Sequence, residues 1–366
     1  MNAQPIVVIG GSAGALGGLL EIVRQLPRDF PAAVLVVIHV SPDYPSRLPA
    51  LLNAAGPLEA RTARSGERPM PGCIYVAPPD HHLLCQDSGL LVSRGPKENR
   101  ARPSIDVLFR SAAYTHGPQV TGVLLSGMLD DGTSGLWTIK HLGGHAIVQH
   151  PEEAEHPSMP LSAVRRVEVD EILPVRGIGP SLLRMVRGPE QRGEGDMSDQ
   201  ERRRVGVEVG VAAEDNAFGS GILGLGPMST FTCPECHGVM VRLEENGHLR
   251  FRCHTGHAFT AAALLSELRE SVEATLWSAV RVMDENVMLL EHLGKHFGEA
   301  GDVEQQQTFA REVSDMRSRS RSVRELALQT AEHQHEVQQA VSRAEQMTGP
   351  SDPRSDPHPA PLDQPG

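Results

Sequence analysis

The segment Ile6-Val7-Val8-Ile9-Gly10-Gly11-Ser12-Ala13-Gly14 constrains this chain more than any other. Four consecutive β-branched apolar residues read as a strand covered on both faces, the habit of parallel sheets. The glycine-rich turn after it leads into a helical pattern from residue 15, so it is a strand–turn–helix junction. Gly10, Ser12 and Gly14 form G-x-S-x-G, the pattern that lifts a serine onto a sharp turn at a helix N-terminus. There the free N–H groups and the positive dipole end favour developing negative charge. A dinucleotide loop also joins a first strand to a helix through glycines, but it requires G-x-G-x-x-G, and neither Gly10 nor Gly11 sets that register. It also expects an acid at the end of the second strand, where the run Ala33–Ile38 ends in His39 instead. A serine that only caps the helix is the remaining alternative on the turn alone.

The alternation of strand-like and helix-like segments continues to about residue 178. Strands are expected at 6–9, 33–38, 73–76, 82–85, 90–93, 119–125, 145–148 and 172–175, and helices at 15–25, 46–54, 104–115, 132–140 and 160–166. This predicts a doubly wound α/β domain with a mostly parallel sheet and helices on both faces. The working site of such a sheet lies off the carboxyl ends of its strands, at the switch point. Asp87-Ser88-Gly89 between two short runs predicts an antiparallel hairpin at the margin.

With 366 residues the chain has room for two or three domains. Its formal charge of −12 and pI near 5.8 exclude a broad electrostatic grip on nucleic acid. No apolar run approaches the roughly 20 residues that span a bilayer. The first strand follows Met1-Asn2-Ala3-Gln4-Pro5 at once, which leaves no room for a signal peptide, so a cytoplasmic location is expected.

His39 ends the strand next in sequence to Ser12, and one right-handed strand–helix–strand unit brings the two ends side by side. A serine hydroxyl needs such a base near neutral pH. A third member would orient the imidazole. Val123-Leu124-Leu125-Ser126-Gly127-Met128-Leu129-Asp130-Asp131-Gly132 carries a strand into a turn with two carboxylates. Adjacent acids in a turn also suit a helix cap or a Mg²⁺ site, although the Lys–Ser/Thr phosphate loop that often accompanies Mg²⁺ is missing.

Taken together, Ile9-Gly10-Gly11-Ser12-Ala13-Gly14, Val37-Ile38-His39, Tyr75-Val76-Ala77-Pro78-Pro79-Asp80-His81-His82, Arg102-Pro103-Ser104-Ile105-Asp106-Val107-Leu108-Phe109, Leu125-Ser126-Gly127-Met128-Leu129-Asp130-Asp131-Gly132 and Ser158-Met159-Pro160 resemble the landmarks of the CheB-type protein-glutamate methylesterase catalytic domain. They occur in the family's order over roughly residues 4–178. The resemblance implies a triad in the chain order Ser12 as nucleophile, His39 as base and then acid, and Asp131 as orienting carboxylate. Asp131 is preferred to Asp130 because the family's aspartate directly precedes the glycine. It further implies oxyanion donors from the backbone around Met128 and from the helix start at Ala13, and no cofactor for catalysis. The implied reaction is hydrolysis of glutamate methyl esters on chemoreceptors, with release of methanol and a capacity to deamidate receptor glutamines. Two departures stand out. The catalytic segment opens the chain where a receiver domain normally precedes it, and Ala13 stands where some members carry threonine.

Beyond about residue 187 the composition changes. Residues 181–230 are expected to be a linker with a short ordered piece around Val205–Val211. Cys233-Pro234-Glu235-Cys236 and Cys253-His254-Thr255-Gly256-His257 then have the ligand types and spacing of a Zn²⁺ ribbon over 231–260. Cys233, Cys236, Cys253 and His257 are the expected ligands, with His254 and His237 as rivals for the fourth place. Four protein ligands leave no open position, so the metal would be structural. Such a module resembles one that follows the esterase domain in some relatives. Between the knuckles, Met240–Leu243 and Leu249–Phe251 flank Glu245-Asn246-Gly247 as a hairpin. Apolar residues stepping by three and four over 261–347, interrupted at Gly298–Asp302, predict a helical hairpin, and 348–366 a disordered tail.

The expected function is therefore a serine esterase acting on a methylated chemoreceptor-like protein, with self-association or partner binding through the C-terminal helices. Two alternatives remain: a non-catalytic scaffold built on the same fold, and a nucleotide-binding α/β protein, which both failed phosphate-loop spacings disfavour.

Overall fold

The buried strands β1 (Ile6–Gly11) and β2 (Ala33–Ile38) lie side by side in parallel, with Gly11 opposite Ile38. In this computed structural model the described residues are 4–42, 44–187, 195–213, 219, 221–245 and 248–347, those of 331–347 without their side chains. The chain continues through β3 (Glu59–Thr62), β4 (Cys73–Val76), the hairpin pair β5 (His82–Gln86) and β6 (Gly89–Ser93), β7 (Val120–Leu124), β8 (His145–Gln149) and β9 (Glu171–Leu173). Seven of these form one parallel sheet in the order β3-β4-β2-β1-β7-β8-β9. The order reverses at β1, so the crevice beyond β1, β2 and β7 is the switch point.

The helices are α1 (Ala15–Gln25), α2 (Leu48–Ala55), α3 (Ile105–His116), α4 (Thr133–His141), α5 (Ser158–Arg166) and α6 (Val175–Arg187). Side chains alternate across each strand and so feed two cores. Val8, Leu35 and Val37 pack with Leu108 and Phe109 of α3, Leu136 of α4 and Met159 of α5. Val7, Ile9, Val34 and Val36 pack with Leu19 and Ile22 of α1, Leu52 of α2 and Ile178 of α6. The sheet is doubly wound, as its apolar runs required.

Four features depart from the sequence expectation. β3 is an edge strand in which Ala60 alone is buried, so it carries no apolar run to read. The strand expected at 172–175 ends at Leu173, because Pro174 has no N–H for the ladder and opens α6 instead. The expected domain end at 180 falls inside α6, which packs against α1 through Val175 and Gly18. The linker expected over 181–230 holds α7 (Asp199–Ala213), a helix laid on α3 and β6 that is longer than the ordered piece expected around Val205–Val211. Its inward residues are Val205, Glu208, Val211 and Ala212, and the buried glutamate hides the apolar period.

The ribbon is antiparallel, β10 (Met228–Thr232), β11 (Val239–Glu245), β12 (His248–Cys253) and β13 (Ala258–Thr260), in that spatial order. Glu245 opposes His248 as the expected hairpin requires, and its turn residues Asn246 and Gly247 lie outside the described residues. Helices α8 (Ala261–Glu299) and α9 (Val303–Met347) then fold back on each other. Phe297 stacks on Phe309 at 5.5 Å, and Ser320 donates to Asp284 at 2.6 Å, which sets the pair antiparallel. The expected tail at 348–366 lies outside the described residues.

Candidate active site

Ser12 stands between the last residue of β1 and the first turn of α1. Gly14 caps that helix with φ +74°, a left-handed conformation open to glycine and costly for most side chains. Gly10 is required for a different reason: a Cβ there would lie 2.2 Å from Ile105 of α3. The turn is stapled to the end of β7. Ser12 N donates to Ser126 O at 2.9 Å, and the Ser126 hydroxyl donates to Ala13 O at 2.8 Å. The Ser126 N–H is held in turn by Gln149 Oε1 at 2.8 Å.

His39 follows β2 directly, and its N–H donates to Gly11 O at 3.2 Å. Ser12 and His39 are thus the next register pair beyond Gly11 and Ile38. His39 Nε2 lies 2.9 Å from Asp131 Oδ2, with the imidazole 23% exposed and the carboxylate 3%. Nε2–H donated to the carboxylate leaves Nδ1 with the free lone pair. Among the described residues the Ser12 hydroxyl makes no hydrogen bond, a common state for a nucleophile without substrate.

Asp131 sits at the N-terminus of α3. Its Oδ2 also accepts the Ile105 N–H at 2.7 Å, and its Oδ1 accepts the Asp106 N–H at 3.2 Å, the Ser104 hydroxyl at 2.9 Å and the Asn99 amide at 3.0 Å. Burial pushes this carboxyl up, but the His39 hydrogen bond and charge, with the Asn99 and Ile105 donors, hold it well below the usual carboxylate range. The helix dipole acts in the same direction. Its neighbour Asp106 behaves oppositely: burial and the Asp131 charge push it well above that range.

Asp130 faces away from His39. Its Oδ1 accepts the Thr260 hydroxyl at 2.6 Å, and its Oδ2 lies 3.3 Å from His248 Nε2 and 3.7 Å from Arg166. The two adjacent acids therefore serve different partners rather than converging on one cation.

Of the two expected oxyanion positions, Met128 is 43% exposed and follows Gly127, whose Cα lies against Ser12. Ala13 opens the turn into α1. Among the described residues neither the Ala13 nor the Met128 N–H has an internal acceptor, so both are free for an oxygen from outside.

Sequence reasoning missed how the C-terminal ribbon meets this site. Glu98 pairs with Arg110 at 3.0 Å and with Arg252. Glu208 pairs with Arg250 at 2.7 Å and with Arg252 at 3.0 Å, and Glu245 with Arg250 at 2.6 Å. All six side chains are buried, three carboxylates against three guanidiniums. Arg250 and Arg252 flanking Phe251 on one strand were the available signal, because alternating positions share a face.

A second cluster lies in the ribbon. The ligand atoms of Cys233, Cys236, Cys253 and His257 fall within 4.8 Å of one another. Cys236 Sγ is 3.6 Å from Cys253 Sγ, and His257 Nδ1 is 3.7 and 3.6 Å from Cys233 and Cys253 Sγ. Tetrahedral zinc with bonds of about 2.0–2.3 Å has edges of roughly 3.5–3.8 Å, so the donor set and spacing fit such a metal. His254 is turned onto Gly238, and His237 is exposed, so neither joins the four.

The architecture so far is a doubly wound α/β protein with serine, histidine and aspartate at the switch point of its sheet. The chain matches the family model for CheB methylesterase over residues 7–182. A putative protein-glutamate methylesterase/protein-glutamine glutaminase of Leptospira interrogans is 36% identical to it over 186 residues, 50% of this chain and 96% of the relative. The corresponding protein 2 of Methanosarcina mazei is 33% identical over 194 residues, 51% of this chain and 53% of its own. Among solved structures, the Thermotoga maritima CheB methylesterase catalytic domain is 33% identical, with a TM-score of 0.48 over 50% of this chain and 99% of that one. This chain belongs to the CheB methylesterase family. It spans about half the length of several curated relatives that it matches.

Proposed function

We propose that this protein is a serine esterase that hydrolyses glutamate methyl esters on a chemoreceptor-like protein, with glutamine deamidation as a related activity. The observation that carries the reading is the 2.9 Å bond from His39 to a buried, ionised Asp131, with Ser12 in the adjoining register position. Relatives named as methylesterase and glutaminase supply the substrate class.

In this reading His39 Nδ1 takes the proton as Ser12 Oγ attacks the ester carbonyl. Asp131 holds the ring and stabilises its charged form. The Ala13 and Met128 N–H groups, with the α1 dipole, receive the oxyanion. Collapse breaks the carbonyl–methoxy bond, and His39 protonates the departing methanol. Water, deprotonated by the same histidine, then releases the glutamate carboxylate and restores Ser12. An amide substrate would follow the same course and lose ammonia.

The ribbon, in the same reading, binds zinc through Cys233, Cys236, Cys253 and His257 as a structural metal remote from the chemistry. Helices α8 and α9 expose the apolar side chains Val272, Met288, Leu289 and Leu326, and this pair of helices is the part offered to receptor helices or to a further copy of the chain. No helix among the described residues is long and apolar enough to cross a membrane, and the five cysteines are free, which suits action in the reducing cytoplasm. The test is mass spectrometry of a methylated receptor incubated with the purified protein. Loss of methyl groups and release of methanol are expected, both abolished by Ser12→Ala. Turnover that survives that substitution would sink the mechanism.

A further inference from the structure

Thr260 is the cap of α8, accepting the Ala263 N–H on its hydroxyl at 3.0 Å. The same hydroxyl donates to Asp130 at 2.6 Å, and the Thr260 N–H donates to Asn99 Oδ1 at 2.9 Å. Asn99 Nδ2 then donates to Asp131 Oδ1 at 3.0 Å and to Asp106 Oδ2 at 2.9 Å. One residue of the C-terminal half thus reaches Asp130 directly and Asp131 through a single amide.

The backbone around Asn99 is built into the ribbon. Asn99 N donates to Ala258 O at 2.8 Å, and Ala258 N donates to Lys97 O at 3.1 Å. Arg100 pairs with Glu267 and Glu270 in the first turns of α8, both at 2.5 Å. Asn99 and Arg100 have φ of +51° and +68°, left-handed values that asparagine tolerates and arginine adopts at a cost. The conformation is held by contacts on the C-terminal side. The Thr260 N–H also fixes the sense of the amide: reversed, Asn99 would turn its oxygen on two carboxylates and its NH₂ on an N–H.

We propose that Asn99 is a positioning residue that holds Asp131 toward His39, and that Thr260 holds Asn99, so the seating of the ribbon and α8 sets the geometry of the esterase site. The proposal rests on the reading of Ser12, His39 and Asp131 given above. It assigns the C-terminal half a part in catalysis without any contact to substrate.

The test uses the full chain with its metal. Asn99→Gly keeps the left-handed backbone and removes only the amide. It is expected to lower kcat about tenfold, equivalent to about 1.4 kcal/mol, with KM unchanged within about twofold. The downfield proton resonance of His39 Nε2–H should move upfield in parallel. Thr260→Pro, at a φ of −71° that proline accepts, removes the N–H that holds Asn99 and should reproduce a smaller part of both effects, whereas Thr260→Val, which keeps that N–H, should stay nearer the parent values. A folded Asn99→Gly protein with the parent kcat and resonance would overturn the proposal, as would a loss confined to KM. A folded Thr260→Pro protein indistinguishable from Thr260→Val would overturn the link to the C-terminal half. Should the parent protein turn over no ester, the proposed function fails separately, and the His39 resonance in the same variants still decides this inference.

Discussion

Gly127 lies so close to Ser12 that a Cβ on it would stand 3.0 Å from the serine Cβ and 2.6 Å from Met159 Cε. The turn after β7 therefore forms a wall of the nucleophile's pocket. Gly127→Ala is expected to push this turn off Ser12, to destabilise the protein by about 1–3 kcal/mol, and to slow labelling of Ser12 by a fluorophosphonate at least tenfold. Thermal melts and labelling rates measured together check it. Labelling at the parent rate would show that the turn yields without moving the serine.

The two buried acids at the start of α3 should respond differently to the same chemical change. Asp131→Asn removes the charge that orients His39, and a loss of kcat on the order of 10³–10⁴ is expected. Asp106 is pushed well above the usual carboxylate range by burial and by Asp131. Asp106→Asn still accepts the Gly135 N–H that now meets the carboxyl at 2.6 Å, but it sets its NH₂ against the Asn99 amide that the other oxygen accepts at 2.9 Å, so a smaller loss of about tenfold is expected. Parallel steady-state assays distinguish the two. Equal losses would mean that Asp106 supports the site as strongly as Asp131 does.

Much of this site is local, and for that reason it was legible. Ser12, His39 and Asp131 each sit within a few residues of the carboxyl end of an apolar strand, and sheet topology brings those ends together. The partners of Asp131 were not legible. Asn99 bonds Thr260 across 161 positions, and both residues lie in stretches without periodicity or motif. Of helix α7 only a short ordered piece was legible, because the inward-facing Glu208 is a charge that reads as solvent-facing until its arginines are located. The ribbon ligands were legible from spacing alone, whereas the docking of the ribbon onto α3 depended on charges placed far apart in sequence.

The buried ion network should dominate the attachment of that ribbon. Glu208→Ala leaves Arg250 and Arg252 without a main counter-charge, and a loss of about 3–5 kcal/mol is expected. Glu285→Ala, which breaks the exposed Arg281 pair, should change stability by less than about 0.5 kcal/mol. Denaturant titration of both variants tests the contrast.

The same network predicts the acid response. Burial raises Glu98 and Glu208, but the charges of Arg110, Arg250 and Arg252 outweigh it, so both stand below the ordinary value when folded. Unfolded, they titrate near about 4.3. Their stabilisation is complete above that pH and is lost as the pH falls through the lower folded values. The contribution of these two carboxylates should therefore hold from neutrality to about pH 5 and decline below about pH 4, so the acid limb is expected to be shallower in Glu208→Gln than in the parent. A decline beginning above about pH 6 in the parent protein would place the responsible group elsewhere.

Metal content gives an independent check. Elemental mass spectrometry should find one zinc per chain, lost in Cys233→Ser and on treatment with a strong chelator. Hydrogen exchange should then accelerate at Phe251 and Phe259, which face each other across β12 and β13 beside the ligands. Unchanged exchange in a metal-free protein would show that the ribbon is held by its ion pairs alone.

The pairing of residues 97–99 with Ala258 has a practical consequence for anyone who wants a smaller enzyme. Cutting the chain after Arg187 keeps all seven parallel strands, yet it strands Glu98 and Arg110 on an open flank and takes away the Thr260 N–H that holds Asn99 behind Asp131. The α/β half of this protein is therefore braced from outside at that flank. A functional miniature would have to redesign that flank, or carry the ribbon with it.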